Sequence, residues 1–273
     1  MQSLNQKVVI ITGASSGIGE ALAFEAASRG ARLMLAARNI KKLEAIAKSL
    51  EEKKISVKVC ETDVSVMEDC KHLIAETINA YGKIDVLINN AGISMRALLV
   101  AADPSVIHRL MDVNFWGTVY CTKFALPYLL KEKGSVAGIS SIAGIKGLPA
   151  RTGYSASKFA MLGFMESLRI ENLKTGLHVL MAFPGFTASN IRNTALAADG
   201  SQQGESPRDE SKMMTAEEVA KHVLDAIEKR KRTLILTTQG KLTVLLNKFF
   251  PAWVDKLVYS HMAKEPDAPF KAN

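Results

Sequence analysis

The chain has 273 residues, of which 48% are hydrophobic and 23% are charged, so it is long enough for one α/β domain with a sizeable core. The formal net charge is +8, but residues 229–273 contain nine Lys and Arg against three Asp and Glu, which leaves the main body close to neutral. This distribution argues against a nucleic-acid-binding body, and the lack of any apolar run near 20 residues argues against a transmembrane helix.

A glycine-rich turn follows the first predicted strand, at residues 7–12, and precedes a helix that reaches about Arg29. Residues 13–19 read Gly-Ala-Ser-Ser-Gly-Ile-Gly. A helix N-terminus offers free N–H groups to a pyrophosphate, and glycines let the backbone approach it closely. The spacing matches neither the Gly-x-Gly-x-x-Gly fingerprint nor a Walker A loop. Its position between a strand and a helix nevertheless favours dinucleotide binding over an ordinary turn.

The second predicted strand, Arg32–Ala37, ends at Arg38 without an acidic residue. In dinucleotide folds an acidic side chain near this position binds the ribose 2′-hydroxyl, whereas an arginine accommodates a 2′-phosphate. The sequence therefore favours NADP(H) over NAD(H). The alternative is that Arg38 only ends the strand.

Strands and helices then alternate along the chain. We predict helices at 40–54, 66–81 and 104–130, and a further helix that carries Tyr154 and Lys158 and ends at about 174. We predict strands at 56–61, 84–88, 135–139 and 177–183. A helix with a capping box at Thr215 and a last strand at 233–237 follow. This alternation predicts an α/β fold, a doubly wound Rossmann domain with a seven-stranded parallel sheet and helices on both faces.

Two segments near the C-terminus differ from this pattern. Residues 188–214 are polar and rich in turn residues, which is typical of a mobile substrate loop beside a strand end. We assign this loop to a domain of residues 1–240 and treat residues 241–273 as a helical extension. Leu242, Leu245, Phe249, Trp253 and Leu257 give that extension an apolar stripe.

Pro251 divides the extension into two helices or kinks it. Two interpretations of the stripe remain open. It covers the main body or a partner subunit, or residues 241–263 form a basic amphipathic surface for a membrane or an acyl-carrying partner.

Tyr154 and Lys158 are four residues apart within a predicted helix, so their side chains lie on one face. A neighbouring ammonium group lowers the pKa of a tyrosine hydroxyl, which makes the pair a candidate general acid and base. A solvated helix face is the alternative. Asp63 at a strand end likewise suits either an adenine contact or a helix cap.

These residues together resemble the classical short-chain dehydrogenases/reductases over about residues 7–237. The resemblance rests on the glycine turn, on Asn89-Asn90-Ala91-Gly92, on Ser141 thirteen residues before Tyr154, on Tyr154-x3-Lys158 and on Pro184-Gly185. Residues 140–158 and 212–215 are similar to the apolar-substrate, hydroxysteroid dehydrogenase-like branch.

The resemblance implies a role for each matching residue. Tyr154 is the proton donor or acceptor, Lys158 lowers its pKa and holds the nicotinamide ribose, Ser141 binds the substrate oxygen, and Asn114 holds a water. The implied NADP(H) contacts, besides Tyr154 and Lys158, are Gly13, Ser15, Ser16, Gly17, Ile18, Gly19, Arg38, Asp63, Val64, Asn90, Ala91, Gly92, Pro184, Gly185 and Thr187.

The implied function is an NADP(H)-dependent oxidoreductase that interconverts a carbonyl and a secondary alcohol on a small apolar substrate. A 3-oxoacyl-carrier-protein reductase-like enzyme and a non-catalytic NADP(H)-binding scaffold are the alternatives. We expect a homodimer or homotetramer without a metal site. Cys60, Cys70 and Cys121 lack metal-ligand spacing, which favours reduced thiols and a cytoplasmic location.

Overall fold

The strands form one parallel sheet. The computed structural model describes residues 3–188, 191–204 and 213–270. Within these ranges the strands are β1 (Val8–Thr12), β2 (Arg32–Ala37), β3 (Val57–Glu61), β4 (Val86–Asn89), β5 (Ser135–Ile139), β6 (His178–Phe183) and β7 (Thr233–Ile235). They are hydrogen-bonded in the order β3-β2-β1-β4-β5-β6-β7, and each neighbouring pair is parallel.

Helices cover both faces of this sheet. They are α1 (Gly17–Ser28), α2 (Ile40–Glu51), α3 (Met67–Tyr81), α4 (Pro104–Leu110), α5 (Gly117–Lys131), α6 (Thr152–Glu171), α7 (Ala216–Glu228), α8 (Thr238–Phe249) and α9 (Pro251–Met262). Buried residues of α1, α2 and α7 form one apolar core with the sheet, and those of α3, α5 and α6 form a second. The predicted Rossmann fold is therefore confirmed.

The site is positioned by the reversal of strand order at β1. From β1 the chain moves outward to β3 and then returns to place β4 on the other side of β1, with Val9 beside Val86 and Ile11 beside Ile88. In sheets of this kind, ligands bind in the crevice outside the carboxyl ends of the two strands at such a reversal. The loops after β1, β4, β5 and β6 all reach this edge.

The predicted helix at 104–130 is the main correction to the secondary structure. It is divided into α4, a π-helical segment at Met111–Trp116 and α5. Such segments insert an extra residue per turn and are frequent at functional sites. Asn114 lies in this segment. Periodicity alone predicts one continuous helix because a single turn of different pitch leaves the apolar pattern nearly unchanged.

The ends of elements show one agreement and two differences. The predicted capping box of α7 is confirmed, since Thr215 Oγ1 accepts from Glu218 N at 3.2 Å and Thr215 N donates to Glu218 Oε2 at 2.9 Å. The last strand ends at Ile235 rather than 237, and Thr237 caps α8. The proposed boundary at residue 240 therefore falls inside α8. The cysteines Cys60, Cys70 and Cys121 are buried and unbridged.

Candidate active site

A single cleft along the carboxyl edge of the sheet contains the predicted cofactor residues. Its wall includes the glycine turn, Arg38, Asp63, Val64, Ser141, Tyr154 and Lys158. Asn90, Ala91, Gly92, Pro184, Gly185 and Thr187 also line it. Asn114 does not line the cleft but is fully buried behind it. Sequence spacing therefore selected a set of residues that the fold brings together.

The glycine turn is built for a ligand that approaches the backbone. Gly13 and Gly17 have φ values of 65° and 58°, which L side chains rarely adopt. A Cβ atom on Gly19 would lie 2.1 Å from the carbonyl oxygen of Gly13. Ser16 caps α1 without a side-chain hydrogen bond, so the side chain leaves the first N–H groups of the helix to a ligand. These features fit the pyrophosphate of a dinucleotide.

The loop after β4 is hydrogen-bonded to this turn. Thr12 Oγ1 accepts from the backbone N–H groups of Asn90 and Ala91, both at 3.1 Å. Asn90 Nδ2 donates to Thr12 O at 2.9 Å and to Gly13 O at 3.3 Å. The Asn90 side chain therefore positions the glycine turn, which the sequence analysis did not anticipate when it assigned Asn90 to the ribose.

Arg38 lies at the opposite end of the cleft from Tyr154 and is 61% exposed. Its Nη1 is 3.9 Å from Asp63 Oδ2. Asp63 Oδ1 also accepts from Ser65 N at 3.0 Å and from Ser65 Oγ at 2.6 Å, so the carboxylate organises the turn before α3 while it lines the cleft. Asp63 is not the cap of α3, because Val66 is the N-cap residue of that helix. The adenine contact of Asp63 stays a prediction.

Tyr154 lies in the first turn of α6 and is only 9% exposed. Burial raises the pKa of its hydroxyl, while a hydrogen bond with Ser141 and the charge of Arg151 lower it in part. The net shift is upward. Ser141 is held in place because its Oγ accepts from Ala143 N at 3.2 Å. In this arrangement Tyr154 is therefore protonated at neutral pH.

Lys158 is buried below Tyr154. Its Nζ donates to Ile139 O at 3.0 Å, and burial lowers its pKa from 10.5 to about 8. From the sequence, this ammonium is expected to lower the pKa of Tyr154. The structure corrects this expectation, because Lys158 contacts the end of β5 and the pKa of Tyr154 is raised by burial.

Asn114 connects the loop after β4 to α6. Its Oδ1 accepts from Ile93 N at 2.8 Å, and its Nδ2 donates to Ile93 O at 3.0 Å and to Ser157 Oγ at 2.9 Å. A Cβ atom on Gly92 would lie 3.1 Å from Asn114 Oδ1 and 3.2 Å from Lys158 Nζ. The amide is thus a positioning group immediately behind the pair of Tyr154 and Lys158.

Much of the substrate end of the cleft is not evident from the sequence. The lining residues not anticipated there include Ile93, Arg109, Leu148, Arg151, Phe186, Met262 and Glu265. From the predicted substrate loop, the residues that line the cleft are Ile191, Arg192, Thr194, Leu196 and Gln202, whereas 189–190 and 205–212 lie outside the described residues. Of the residues not anticipated, only Arg151 could have been expected from its place in the sequence, because it lies three residues before Tyr154.

Two kinds of site are not found. Within the described parts of the chain, no three His, Cys, Asp or Glu side chains gather as a set of metal ligands. None of the helices in these parts is long and apolar enough to cross a bilayer.

The fold and cleft define a dinucleotide-binding oxidoreductase scaffold, and the comparisons identify its family. The model of the short chain dehydrogenase family matches residues 7–199, and the chain belongs to this family. It is 42% identical over 231 residues to 11-beta-hydroxysteroid dehydrogenase-like 4A of Arabidopsis thaliana, which covers 83% of this chain and 75% of the relative. It is 34% identical to 11-beta-hydroxysteroid dehydrogenase A of Sesamum indicum over 96% of this chain and 78% of that protein.

Solved structures agree with this placement. A short chain dehydrogenase/reductase from Burkholderia phymatum in complex with NAD superposes with a TM-score of 0.83 at 24% identity, over 93% of this chain and 96% of that chain. An alcohol dehydrogenase from Thermococcus sibiricus complexed with 5-hydroxy-NADP gives 0.76 at 27% identity, over 85% and 96%. The resemblance to the hydroxysteroid dehydrogenase-like branch is confirmed by the named relatives.

The lowered pKa of Lys158 predicts a pH-dependent effect of Lys158→Met on stability. The folded protein binds fewer protons than the unfolded chain between pH 8 and about 10.4, so the wild type becomes more stable as the pH rises through this window. Below pH 8 the buried ammonium costs up to about 3 kcal/mol. Lys158→Met should therefore raise the free energy of unfolding at pH 7 and lose this advantage by pH 10.5, as measured in urea.

Lys248→Met is the matched control, because Lys248 is exposed on α8. It should change the free energy of unfolding little at pH 7. If Lys158→Met altered stability equally at both pH values, burial would not be what shifts the pKa of Lys158.

Proposed function

We propose that the chain is an NADP(H)-dependent oxidoreductase that interconverts a carbonyl and a secondary alcohol on an apolar substrate, with Tyr154 as the general acid and base. The observation that carries this proposal is the buried Tyr154 hydroxyl, hydrogen-bonded to Ser141, in the same cleft as the glycine turn. When bound, the nicotinamide supplies the hydride. The protein then has to supply orientation and a proton.

Orientation and proton transfer are assigned to different residues of the cleft. Tyr154 donates its proton to the substrate oxygen during reduction, and its raised pKa keeps that proton available at neutral pH. Ser141 donates a second hydrogen bond to the same oxygen and stabilises the charge that develops there. Lys158, with a pKa of about 8, can carry a proton beneath Tyr154, and Asn114 fixes the loop that encloses it.

The substrate end of the cleft supports an apolar substrate. Ile93, Leu148, Phe186, Leu196 and Met262 line it. Relatives named hydroxysteroid dehydrogenases point the same way, toward oxidation or reduction at a CH–OH carbon. A 3-oxoacyl chain on a carrier protein is the alternative substrate. A non-catalytic scaffold is the alternative function, although the complete set of Asn114, Ser141, Tyr154 and Lys158 argues against it.

The catalytic assignment predicts that Tyr154→Phe lowers kcat by about 10²- to 10⁴-fold, because the variant cannot transfer the proton. NADPH should still bind, with an affinity that changes far less than kcat. The measurement is NADPH oxidation at 340 nm with a panel of steroids, simple ketones and 3-oxoacyl thioesters, beside direct titration with NADPH.

Tyr128→Phe is the control, because it removes the same hydroxyl group from an exposed side chain of α5, and it should keep full turnover. Full turnover by Tyr154→Phe would disprove the mechanism. Tight NADPH binding without turnover of any panel member would favour the scaffold.

Cofactor preference rests on Arg38. Its exposed guanidinium lies at the edge of the cleft after β2, where it suits a 2′-phosphate, but the nearby Asp63 carboxylate offsets part of its charge. Solved relatives of this fold are complexed with NAD and with 5-hydroxy-NADP, so the fold alone does not decide between them. We infer NADP(H) from the arginine.

Arg38→Gln should therefore lower kcat/KM for NADPH by about 10- to 100-fold, the effect of one lost charge-assisted hydrogen bond or pair of bonds. The value for NADH should change by less than about threefold. Lys41→Gln is the control, because it removes an exposed cation in the first turn of α2. Equal losses of kcat/KM with NADPH and with NADH would show that Arg38 does not bind the 2′-phosphate.

The C-terminal extension supports a further part of the proposal, contact with a membrane surface. Leu242, Leu245, Phe249, Phe250, Trp253, Leu257 and Tyr259 are each 45% or more exposed. The interpretation that the stripe covers the main body therefore does not hold for these residues. Lys241, Lys248 and Lys256 are also exposed on α8 and α9. An amphipathic surface with this charge suits an anionic lipid bilayer on the cytoplasmic side.

Replacement of Phe249, Phe250 and Trp253 by Ser should reduce co-sedimentation with vesicles that contain anionic lipid by at least about tenfold. The control is Ile170→Ser with Leu173→Ser, which removes two exposed apolar side chains at the C-terminal end of α6 and just beyond it. Equal partitioning of the triple variant and the wild type would refute membrane contact. A change from dimer to monomer without any lipid binding would assign the patch to a partner subunit.

We also propose a homodimer or homotetramer that assembles through α5 and α6. Trp116 and Phe159, each 42% exposed, lie on this face or beside it. The exposed apolar residues proposed to contact a membrane lie on α8 and α9 instead.

A further inference from the structure

A cation other than Lys158 lies beside the reacting hydroxyl. Arg151 is the N-cap residue of α6 and Tyr154 is the third residue of that helix, so their side chains lie on the same side of its first turn. Both line the cleft, and the side chain of Arg151 is 11% exposed. The charge of Arg151 lowers the pKa of Tyr154 against the larger, upward effect of burial. The proposed mechanism gives this arginine no role.

The guanidinium of Arg151 is held by a carboxylate from the C-terminal segment. Glu265 Oε2 lies 3.4 Å from Arg151 Nη2 and 3.5 Å from Arg96 Nε. The side chain of Glu265 is 3% exposed. Arg151 Nη1 also donates to Ala150 O at 3.2 Å, and Ser155 N donates to Arg151 O at 2.8 Å. These contacts fix both the side chain and the backbone of the arginine at the start of α6.

Arg151 and Lys158 differ in the pH range over which they are charged. Burial lowers the pKa of Lys158 to about 8, whereas burial raises the pKa of Tyr154 above its ordinary value of about 10. The ammonium of Lys158 has therefore lost its proton before the hydroxyl of Tyr154 ionises. A guanidinium stays protonated throughout this range. Of the two, Arg151 is the cation that is still charged when the phenolate forms.

Other charged or titratable groups also surround this end of the cleft. Besides Arg151 and Lys158, those of the described residues are Arg109 of α4, Arg192 of the predicted substrate loop, Glu265, and His261 of α9 in ring contact with Phe186. Arg109 is exposed, and Arg192 and His261 are half-buried, so solvent and salt screen their charges more than those of buried groups. Arg151 and Glu265 are buried. The field at the hydroxyl therefore depends mainly on this pair of opposite charges.

We propose, on the basis of the function proposed above, that Arg151 is a positioning residue that stabilises the phenolate of Tyr154, and that Glu265 limits this effect by pairing with the guanidinium. A fixed positive charge beside a phenolate favours the ionised form. When the substrate is an alcohol, the phenolate accepts the proton of its hydroxyl as the carbonyl forms. When the substrate is a carbonyl, the phenol returns the same proton to the oxygen.

This assignment connects the C-terminal segment with the acid strength of Tyr154. Glu265 follows α9, and Arg96 donates to Pro266 O immediately after it. The segment is thus attached to the loop after β4 and to the start of α6 through two arginines. It sets the charge beside Tyr154 from outside the helix that carries the tyrosine.

The test follows the ionisation of Tyr154 directly, in full-length protein without cofactor and with ¹³C at the Cζ atoms of tyrosine. The chain has five tyrosines, and the NMR signal that Tyr154→Phe lacks identifies the one of interest. Arg151→Gln should move the midpoint of this titration to higher pH, because the positive charge is lost. Glu265→Gln should move it to lower pH, because the charge that opposes the guanidinium is lost.

Turnover should follow the same order. With an alcohol substrate at pH 7, Arg151→Gln should lower kcat/KM about three- to tenfold, since less phenolate is present at this pH, while KM changes little. Arg151→Lys keeps a positive charge and should restore most of the loss and most of the shift in midpoint.

Two variants serve as matched controls. Arg169→Gln removes an arginine that is 13% exposed and paired with Glu166 on the same helix, but about 20 Å along α6 from Tyr154. Asp267→Asn removes an acidic side chain from an exposed position two residues after Glu265. Both should leave the midpoint unchanged.

Opposite shifts in Arg151→Gln and Glu265→Gln would support the proposal, since general damage to the site would move the midpoint in one direction. An unchanged midpoint in Arg151→Gln, shifts of the same sign in both variants, or an equal shift in Arg169→Gln would overturn it. If Arg151→Gln does not fold, Glu265→Gln decides, because a shift to higher pH or no shift contradicts the proposal.

The titration also separates this inference from the proposed function, because it uses neither cofactor nor substrate. The expected shifts without turnover of any alcohol or carbonyl would refute the oxidoreductase and leave the action of Arg151 on Tyr154 in place. Turnover that depends on Tyr154, without the expected shifts, would refute the role of Arg151 alone.

Discussion

The structure depends on a chain of hydrogen bonds that joins the two strands where the strand order reverses. Thr12 Oγ1 at the end of β1 accepts hydrogen bonds from the backbone N–H groups of Asn90 and Ala91 after β4. The Asn90 side chain in turn donates to Thr12 O, immediately before the glycine turn. The same loop continues through Ile93 to Asn114, and from Asn114 to Ser157 on α6. One continuous network therefore sets the distance between the turn that suits a pyrophosphate and the helix that carries Tyr154 and Lys158. Buried networks of this kind rigidify a site when every member is satisfied.

The buried position of Lys158 behind Tyr154 has a cost in stability. Lys158 is surrounded by protein, and its pKa is lowered because burial makes its charge unfavourable there. The compensation is local, since Nζ has Ile139 O as an acceptor and Gly92 leaves room beside it. A larger residue at position 92 would meet Asn114 and Lys158 at once. A buried ammonium with one carbonyl partner is an arrangement that packing alone would not favour.

The sequence could predict those parts of the fold and candidate site that depend on local patterns. Apolar runs with helical segments between them predict the parallel sheet, and the glycine turn is readable because it lies between a strand and a helix. Asn114 was singled out as a buried polar residue, but its π-helical setting and its partners Ile93 and Ser157 are tertiary features. The raised pKa of Tyr154 depends on burial, which spacing does not reveal.

The C-terminal segment shows most clearly where local patterns fail. Its apolar stripe is visible in the sequence, and the natural expectation is that such a stripe faces the protein core. In the structure most of the stripe faces outward, and α9 instead contributes Val254 and Met262 to the interior. The segment that follows brings Glu265 against Arg96 and Arg151, residues far away in sequence. The same extension therefore has two chemically different surfaces, an apolar and basic one outside and an acidic side chain inside the cleft.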